Sequence, residues 1–126
     1  MRSDRTLKRY YNLINHRFFD NQLPHNTCVR YSNEEEQEKF EDKYFAWTSN
    51  IKNTDQDDHY HEYVIIISKN KNPGWTAIVA SLVHEAIHVA TKMRDDHGPA
   101  FEAQRQKISD RGIFKKGAIL KGLTIF

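Results

Sequence analysis

Residues 75–90 are the most constraining stretch of this sequence, because they read as a helix that is apolar on nearly every side. A helix without a polar face is typical of a protein core. The same stretch nevertheless contains His84, Glu85 and His88. Burying two imidazoles and a carboxylate is costly unless they are paired or bind a metal ion. The apolar residues that define the pattern are Ile78, Val79, Leu82, Val83, Ala86, Ile87 and Val89.

The spacing of the two histidines favours a metal site. His84 and His88 are four residues apart, so on a helix their side chains point in nearly the same direction and can reach one ion. Zinc is the usual metal for such a pair. Glu85, about 100° round the helix from His84, would then act as general base on the water that the ion activates. The plainer alternative is a pair of core histidines that hydrogen-bond to the backbone.

A catalytic zinc site needs three protein ligands and one open position. If the helix runs on to Arg94, a turn at residues 95–96 brings His97 back toward the ion, because three extended residues recover the rise of the last turns. Glu102, one turn into the next helix, is the competing third ligand. The sequence favours His97, since imidazole is the softer and more usual zinc donor.

These motifs resemble a known family. The pattern His84-Glu85-x-x-His88, followed by His97-Gly98-Pro99-x-Phe101, resembles the SprT-like zinc metallopeptidases, which include the Spartan proteases that degrade proteins crosslinked to DNA. Two upstream segments, Tyr11-Asn12-x-Ile14-Asn15-x-x-Phe18-Phe19-x-x-x-Leu23-Pro24 and Tyr44-Phe45-Ala46-Trp47, are similar to the opening and the sheet of that domain, as is the later run Tyr63-Val64-Ile65-Ile66-Ile67-Ser68. The resemblance extends from about residue 7 to residue 108.

The resemblance implies a small zincin-type α+β domain with one Zn²⁺ per chain. It implies that His84, His88 and His97 bind the ion, that Glu85 is the catalytic base, and that the substrate is a protein bound or crosslinked to DNA. One departure from the family matters. Many SprT-like proteins carry a zinc ribbon or another DNA-binding extension, whereas this chain has one cysteine. Any DNA contact would therefore come from the domain's own basic surface or its lysine-bearing last segment.

Patterning along the rest of the chain predicts an α+β fold of one domain over residues 1–126. Asn21 is expected to end the first helix in the left-handed conformation, Asn72 and Pro73 to begin the histidine-bearing helix, and Gly112 to cap the last one. The acidic run at 34–38 is expected on the surface, and residues 113–126 form either a tail or an extra strand. The predicted elements are a helix over 4–20, strands at 27–31, 44–48 and 60–68, a helix over 75–94 packed across the three-stranded sheet, and a C-terminal helix over 99–111.

Composition limits the classes of protein that the chain can belong to. It has 126 residues, of which 38% are hydrophobic, enough for one modest core, and no run long enough to span a membrane. Its single cysteine, Cys28, excludes an internal disulfide framework and a four-cysteine zinc ribbon. We expect an intracellular, non-secreted protein without a membrane partner, and a monomer.

The net charge of +2 hides an uneven distribution. Basic residues outnumber acidic ones by six to two in residues 1–31 and by eight to four in residues 92–126, while acidic residues lead by eleven to five in between. If the two basic ends meet in the fold, they form a face suited to nucleic acid. Lys115, Lys116 and Lys121 are the candidate DNA contacts. A solvated surface without a partner explains an excess of this size equally well.

Other candidates for a role in binding rest on weaker patterns. Tyr44 and His61 are candidates for stabilising an oxyanion or contacting substrate, although a surface position at the edge of a strand is the plainer interpretation of both His59 and His61. Tyr44 and Trp47 could stack on the bases of single-stranded or damaged DNA.

Two other functions compete with a SprT-like peptidase. One is an intracellular zinc peptidase that cleaves a transcriptional repressor, which the Gly98-Pro99-x-Phe101 continuation disfavours. The other is a non-catalytic DNA-binding or scaffold module with a structural zinc ion. A structural site needs a fourth protein ligand, and the obvious soft donor, Cys28, is distant in sequence.

Overall fold

Four helices and three strands make up the part of the chain that a computed structural model describes, residues 2–40, 43–51 and 60–113. The strands form one mixed sheet, which confirms the predicted α+β class. In chain order the elements are α1 (Arg5–Phe18), β1 (Thr27–Tyr31), α2 (Glu34–Phe40), β2 (Ala46–Asn50), β3 (Tyr63–Ile67), α3 (Trp75–Ala90) and α4 (Pro99–Asp110).

β3 is the central strand of the sheet, which has the order β1-β3-β2. It runs parallel to β1 and antiparallel to β2. All five residues of β3 are buried. Alternate side chains enter the main core on one face and a smaller cluster around Cys28 and Ile51 on the other. β2 therefore lies at one edge of the three-stranded sheet, with Ala46 opposite Ile67 of the central strand.

The main core fills the space between the sheet, α1, α3 and α4. α3 crosses the sheet in contact with β2 and β3. Leu82 and Ala86 of this helix are completely buried, together with Leu7, Tyr11 and Ile14 of α1. The apolar pattern on nearly all sides of α3 is thus explained by contacts with four different elements, β2, β3, α1 and α4. No helix in the described part of the chain is both long and apolar enough to cross a membrane.

The start of α3 differs from the prediction. Its N-cap is Gly74, which has a φ of 85°, and no side chain caps the helix there. Asn72 instead lies buried, and its amide group donates to the carbonyl oxygens of Phe45 and Ser68, at 2.8 Å each. Its side-chain oxygen accepts a hydrogen bond from Ser81 Oγ at 2.6 Å. Asn72 therefore joins the residue before β2 and the residue after β3 to α3 instead of capping the helix.

The end of α3 also differs, and this difference matters for the site. The helix ends at Ala90 and does not reach Arg94. Lys92 and Met93 adopt left-handed conformations with φ of 56° and 58°, and the Met93 amide donates to the His88 carbonyl at 2.9 Å. The chain reverses at these two residues, before the predicted turn at residues 95–96.

The other helix and strand boundaries agree closely with those predicted from the sequence. β1 has the predicted bounds, β3 lies within its predicted range, and β2 begins at Ala46, two residues later than expected. α1 begins after Asp4, whose side chain accepts a hydrogen bond from the Leu7 amide at 3.0 Å. Asn21 is left-handed as predicted, with a φ of 60°.

The acidic run forms the short helix α2, which has no buried residues, as expected for a surface segment. Asn33 and Glu36 each accept a hydrogen bond from the other's backbone amide, at 2.8 Å and 2.9 Å. This reciprocal pair is a capping arrangement at the start of a helix.

At the C-terminal side, α4 ends one residue earlier than predicted, at Asp110, and Gly112 follows with a φ of 87°. His59, Lys115, Lys116 and Lys121 lie outside the described residues, as does the choice between a tail and a strand for the last segment.

Asn15 provides a test of how the turn after α1 is held. Its buried side chain donates to the Leu23 carbonyl at 3.1 Å and accepts from the Leu23 amide at 2.9 Å. Because Asn15→Ala leaves both backbone groups without these partners, we expect the free energy of unfolding to fall by about 2 kcal/mol. Urea denaturation measures this free energy of unfolding. Asn12→Ala, on the exposed side of α1, should change it by less than about 0.5 kcal/mol, and equal losses would contradict the assignment.

Candidate metal centre

Three histidines form a cluster at the exposed edge of α3. His84 and His88 project from the last two turns of the helix, and His97 approaches from the loop before α4. The possible ligand atoms of the three residues lie within 4.8 Å of one another. His84 Nε2 and His97 Nε2 are 2.9 Å apart. The structure therefore brings together the three residues that the sequence predicts as ligands.

The geometry and donor type fit a bound metal ion. Tetrahedral zinc with Zn–N bonds of about 2.0–2.1 Å separates its nitrogen ligands by roughly 3.4 Å, close to the spacing in this cluster. Within the described residues, the group that could hold an ion consists of these three histidines alone. A three-ligand set of this kind leaves a coordination position open for a water molecule or a substrate.

The two competing donors lie elsewhere. The Glu102 carboxylate accepts a hydrogen bond from Arg105 Nε at 2.9 Å, and Glu102 is not part of the cluster. Cys28 is buried in the smaller apolar cluster around Ile51, on the face of the sheet opposite the main core. Glu102 is therefore not the third member of the cluster, and Cys28 does not supply a fourth.

Phe101 of α4 supports the whole cluster. Its ring centroid lies 5.0 Å from that of His84, 4.8 Å from that of His88 and 4.9 Å from that of His97. Phe101 is buried at 4% exposure. The sequence places this residue within the motif, but its packing against all three imidazoles becomes visible only in the structure.

Electrostatics favour neutral imidazoles on α3. Burial lowers the pKa of His84, and the proximity of His97 lowers it further. Burial likewise lowers the pKa of His88, with additional repulsion from His84 and His97. Because a metal ion binds the deprotonated ring, these shifts extend the metal-binding form to lower pH.

Glu85 is a buried carboxylate at the border of the cluster, with 5% exposure. Thr48 Oγ1, from β2, donates to Glu85 Oε1 at 2.9 Å, while Glu85 Oε2 lies 3.9 Å from His84 Nε2. Burial raises the pKa of Glu85 to about 7, although the hydrogen bond from Thr48 opposes this rise. Sequence reasoning missed Thr48, because nothing in a strand pattern reveals a contact with a residue 37 positions away.

Two cavities lie between β2 and α3, and His84 and Glu85 line both of them. The larger, of about 310 Å³, has an apolar wall that includes Phe45 and Ala80. The smaller, of about 260 Å³, extends past Trp47 and Thr48 to His88, Met93, Asp95 and Asp96. The two cavities thus form a groove along the edge strand that is bordered by His84, His88 and Glu85, while His97 lines neither of them.

The remaining predicted site residues lie further out. Tyr44, two residues before β2, packs with Phe40 and Trp47 in an aromatic cluster, and it lines neither of the two cavities. Trp47 does line the smaller one. His61, half-buried, precedes β3 and also lines neither cavity.

The choice of third ligand can be tested by metal content. We expect one Zn²⁺ per chain in the unmodified protein, loss of the ion in His84→Ala or His88→Ala, and weakened binding in His97→Ala, because each imidazole supplies part of the binding energy. Glu102→Ala is the control and should bind zinc normally. Elemental analysis after dialysis measures the content. Full occupancy in His97→Ala together with loss in Glu102→Ala would reverse the assignment.

The raised pKa of Glu85 predicts a pH dependence in metal-free protein. The carboxyl ionises near pH 4.5 when the chain is unfolded but only near 7 in the fold, so its burial reduces stability as pH rises between these values. Below this window the cost vanishes, and above it the cost is on the order of 3 kcal/mol. Glu85→Gln should abolish this loss in urea denaturation across pH 4–8. Glu35→Gln, at an exposed position of α2, should leave this loss of stability unchanged. Identical pH profiles for the two variants would contradict the raised pKa of Glu85.

Comparisons of the chain with protein-family profiles, curated proteins and solved structures find no match. The features that bear on function are therefore those of the site itself: three imidazoles that could hold a metal ion, a buried carboxylate beside them, and an edge strand along the groove.

Proposed function

We propose that this protein is a zinc-dependent endopeptidase of the SprT-like type. The observation that carries the proposal is the position of Glu85, buried beside three clustered imidazoles and facing a groove along an edge strand. A purely structural site has no need of an ionisable carboxylate in this position, because burying one without a partner charge is costly.

Zinc is the proposed ion because three imidazole donors with an open position are the ligand set of many catalytic zinc sites. His84, His88 and His97 would hold it. When bound there, zinc lowers the pKa of water and polarises the carbonyl group of a peptide bond. The lowered pKa values of His84 and His88 support this role, since they keep both rings in the metal-binding form near neutral pH.

Glu85 is the proposed general base. Its Oε1 atom is engaged by the Thr48 hydroxyl, which leaves Oε2, on the side of His84, free to accept a proton. As water attacks the carbonyl carbon, Oε2 takes one of its protons, and it then delivers that proton to the nitrogen of the leaving amine as the C–N bond breaks. Burial raises the pKa of Glu85 to about 7 in the metal-free protein, and a base whose pKa lies near the working pH suits both transfers.

A polypeptide is the substrate that the shape of the groove favours. Ala46 of the edge strand lines both cavities, and Trp47 and Thr48 line the smaller one. An extended peptide can add to an exposed edge through backbone hydrogen bonds, while pockets beside it receive alternate side chains. Such a peptide would pass over Glu85.

Glu85→Gln tests the catalytic assignment. An amide cannot accept a proton from water, so we expect the variant to retain zinc and its fold while losing at least about 100-fold in the rate of cleavage of an unfolded protein. Glu102→Gln is a matched control at an exposed carboxylate near the site and should cleave normally. Cleavage by Glu85→Gln at the unmodified rate would exclude the proposed base. Absence of cleavage by zinc-loaded unmodified protein would favour a non-catalytic zinc module.

The resemblance further suggests that the substrate is a DNA-bound protein, and the basic bias of residues 1–31 and 92–126 supports contact with DNA. Replacing Lys115, Lys116 and Lys121 by Ala should weaken binding of labelled single-stranded DNA in fluorescence anisotropy and reduce its salt dependence. A control variant loses the same charge at Lys39, Lys43 and Lys69, within the acidic middle of the chain, and should bind as before. If the unmodified protein shows no binding at low salt, a peptidase or repressor-cleaving enzyme without DNA dependence is favoured.

A further inference from the structure

The conformation of His97 raises the question of what holds its imidazole in place. His97 has a φ of 65°, in the left-handed region that non-glycine residues adopt at a free-energy cost. Its side chain is about half exposed, at 49%. Unlike His84 and His88, it is not fixed by a helix, so the loop itself must impose the position of the third imidazole.

Asp95 closes this loop from the preceding side. Its Oδ2 atom accepts a hydrogen bond from the Ala100 amide at 2.7 Å, and its Oδ1 atom accepts one from the Phe101 amide at 3.1 Å. Both amides belong to the first turn of α4, whose N-cap residue, Gly98, has no side chain to offer. The backbone of His97 is therefore enclosed between Asp95 and the helix start that Asp95 binds.

Gly98 closes the loop from the following side. A Cβ atom at this position would lie 2.9 Å from Asp95 Oδ2 and 3.0 Å from Asp95 Cγ. A larger residue at this position would therefore push the Asp95 side chain away from its place beside the loop. The Asp95 side chain thus lies against Gly98, and His97 lies between these two residues in the loop.

We propose that Asp95 is a positioning residue that holds His97 in the metal-binding arrangement by joining the loop to the start of α4. The same two hydrogen bonds hold the first turn of α4 in place. They thereby position Phe101, whose ring packs against all three imidazoles. This inference rests on the metal centre of the proposed function and does not depend on proteolysis. The ligand concerned is a divalent ion that accepts three imidazoles.

The neighbouring Asp96 provides an internal contrast. Its carboxylate lies 3.4 Å from His97 Nδ1, but its side chain is 92% exposed. Asp96 can therefore orient the ring only through a contact open to solvent, whereas Asp95, which precedes the histidine, binds two backbone amides that follow it.

The test compares zinc affinity with stability in the full-length chain. Asp95→Ala and Gly98→Ala should each weaken Zn²⁺ binding, measured by chelator competition, by about 10- to 100-fold, as found for residues that orient metal ligands. Asp4→Ala is the matched control, because it removes an Asp side chain that caps a helix at α1. It should lower stability of the metal-free protein to a comparable degree while changing zinc affinity less than about twofold.

Two further variants separate positioning from a general loss of structure. Asp95→Asn keeps one acceptor oxygen and should recover part of the affinity. The double variant Asp95→Ala with Gly98→Ala should bind no more weakly than Asp95→Ala alone, because both changes break the same contact. Co²⁺ bound to Asp95→Ala should give a visible absorption spectrum like that of Co²⁺ bound to His97→Ala.

Unchanged zinc affinity in Asp95→Ala would overturn the proposal, and so would an equal loss in Asp4→Ala. A protein that binds zinc with the expected pattern of affinities but cleaves no protein substrate would refute the proposed peptidase and leave the role of Asp95 supported. An unmodified chain that binds no Zn²⁺ would refute both.

Discussion

The cost of placing ionisable groups on a buried helix determines how this molecule is arranged. α3 needs apolar neighbours on nearly all sides, yet it also carries two imidazoles and a carboxylate. The fold meets both demands by setting α3 across the sheet so that Leu82 and Ala86 enter the core while His84 borders the groove beside β2. Glu85, the most buried of its ionisable groups, is then satisfied by a hydroxyl from the edge strand.

Patterns with a strong local cause were predictable from the sequence. The period of apolar residues identified α1, α3 and the strand β3, and side-chain chemistry identified the left-handed Asn21 and the His84–His88 pair. His97 was also identified as the partner of that pair, through the usual preference of zinc for imidazole and the short distance along the chain. Each of these inferences uses residues that are close in sequence, where helix and strand geometry leaves few alternatives.

Tertiary contacts explain what the sequence did not reveal. Asn72 looks like a helix cap, but the carbonyl groups of Phe45 and Ser68 compete successfully for its amide. Lys92 and Met93 are not residues that favour a left-handed turn, so α3 was expected to run on to Arg94. The capping pair of Asn33 and Glu36 was in principle visible, because an Asn followed by Glu three residues later is a known helix start.

Because Phe101 contacts all three imidazoles, one side of the histidine cluster is covered while another borders the groove. On the side of α4, the buried phenyl ring fills the space next to each imidazole, at centroid distances of 4.8–5.0 Å. On the side of β2, the groove is open, and Glu85 is a buried carboxylate that borders both of its cavities. Because His84 and His88 line this groove, an ion held by the cluster would border it. A molecule that occupied the groove would cover that side of such an ion, so occupancy of the groove and exchange of the ion with solvent would be physically linked.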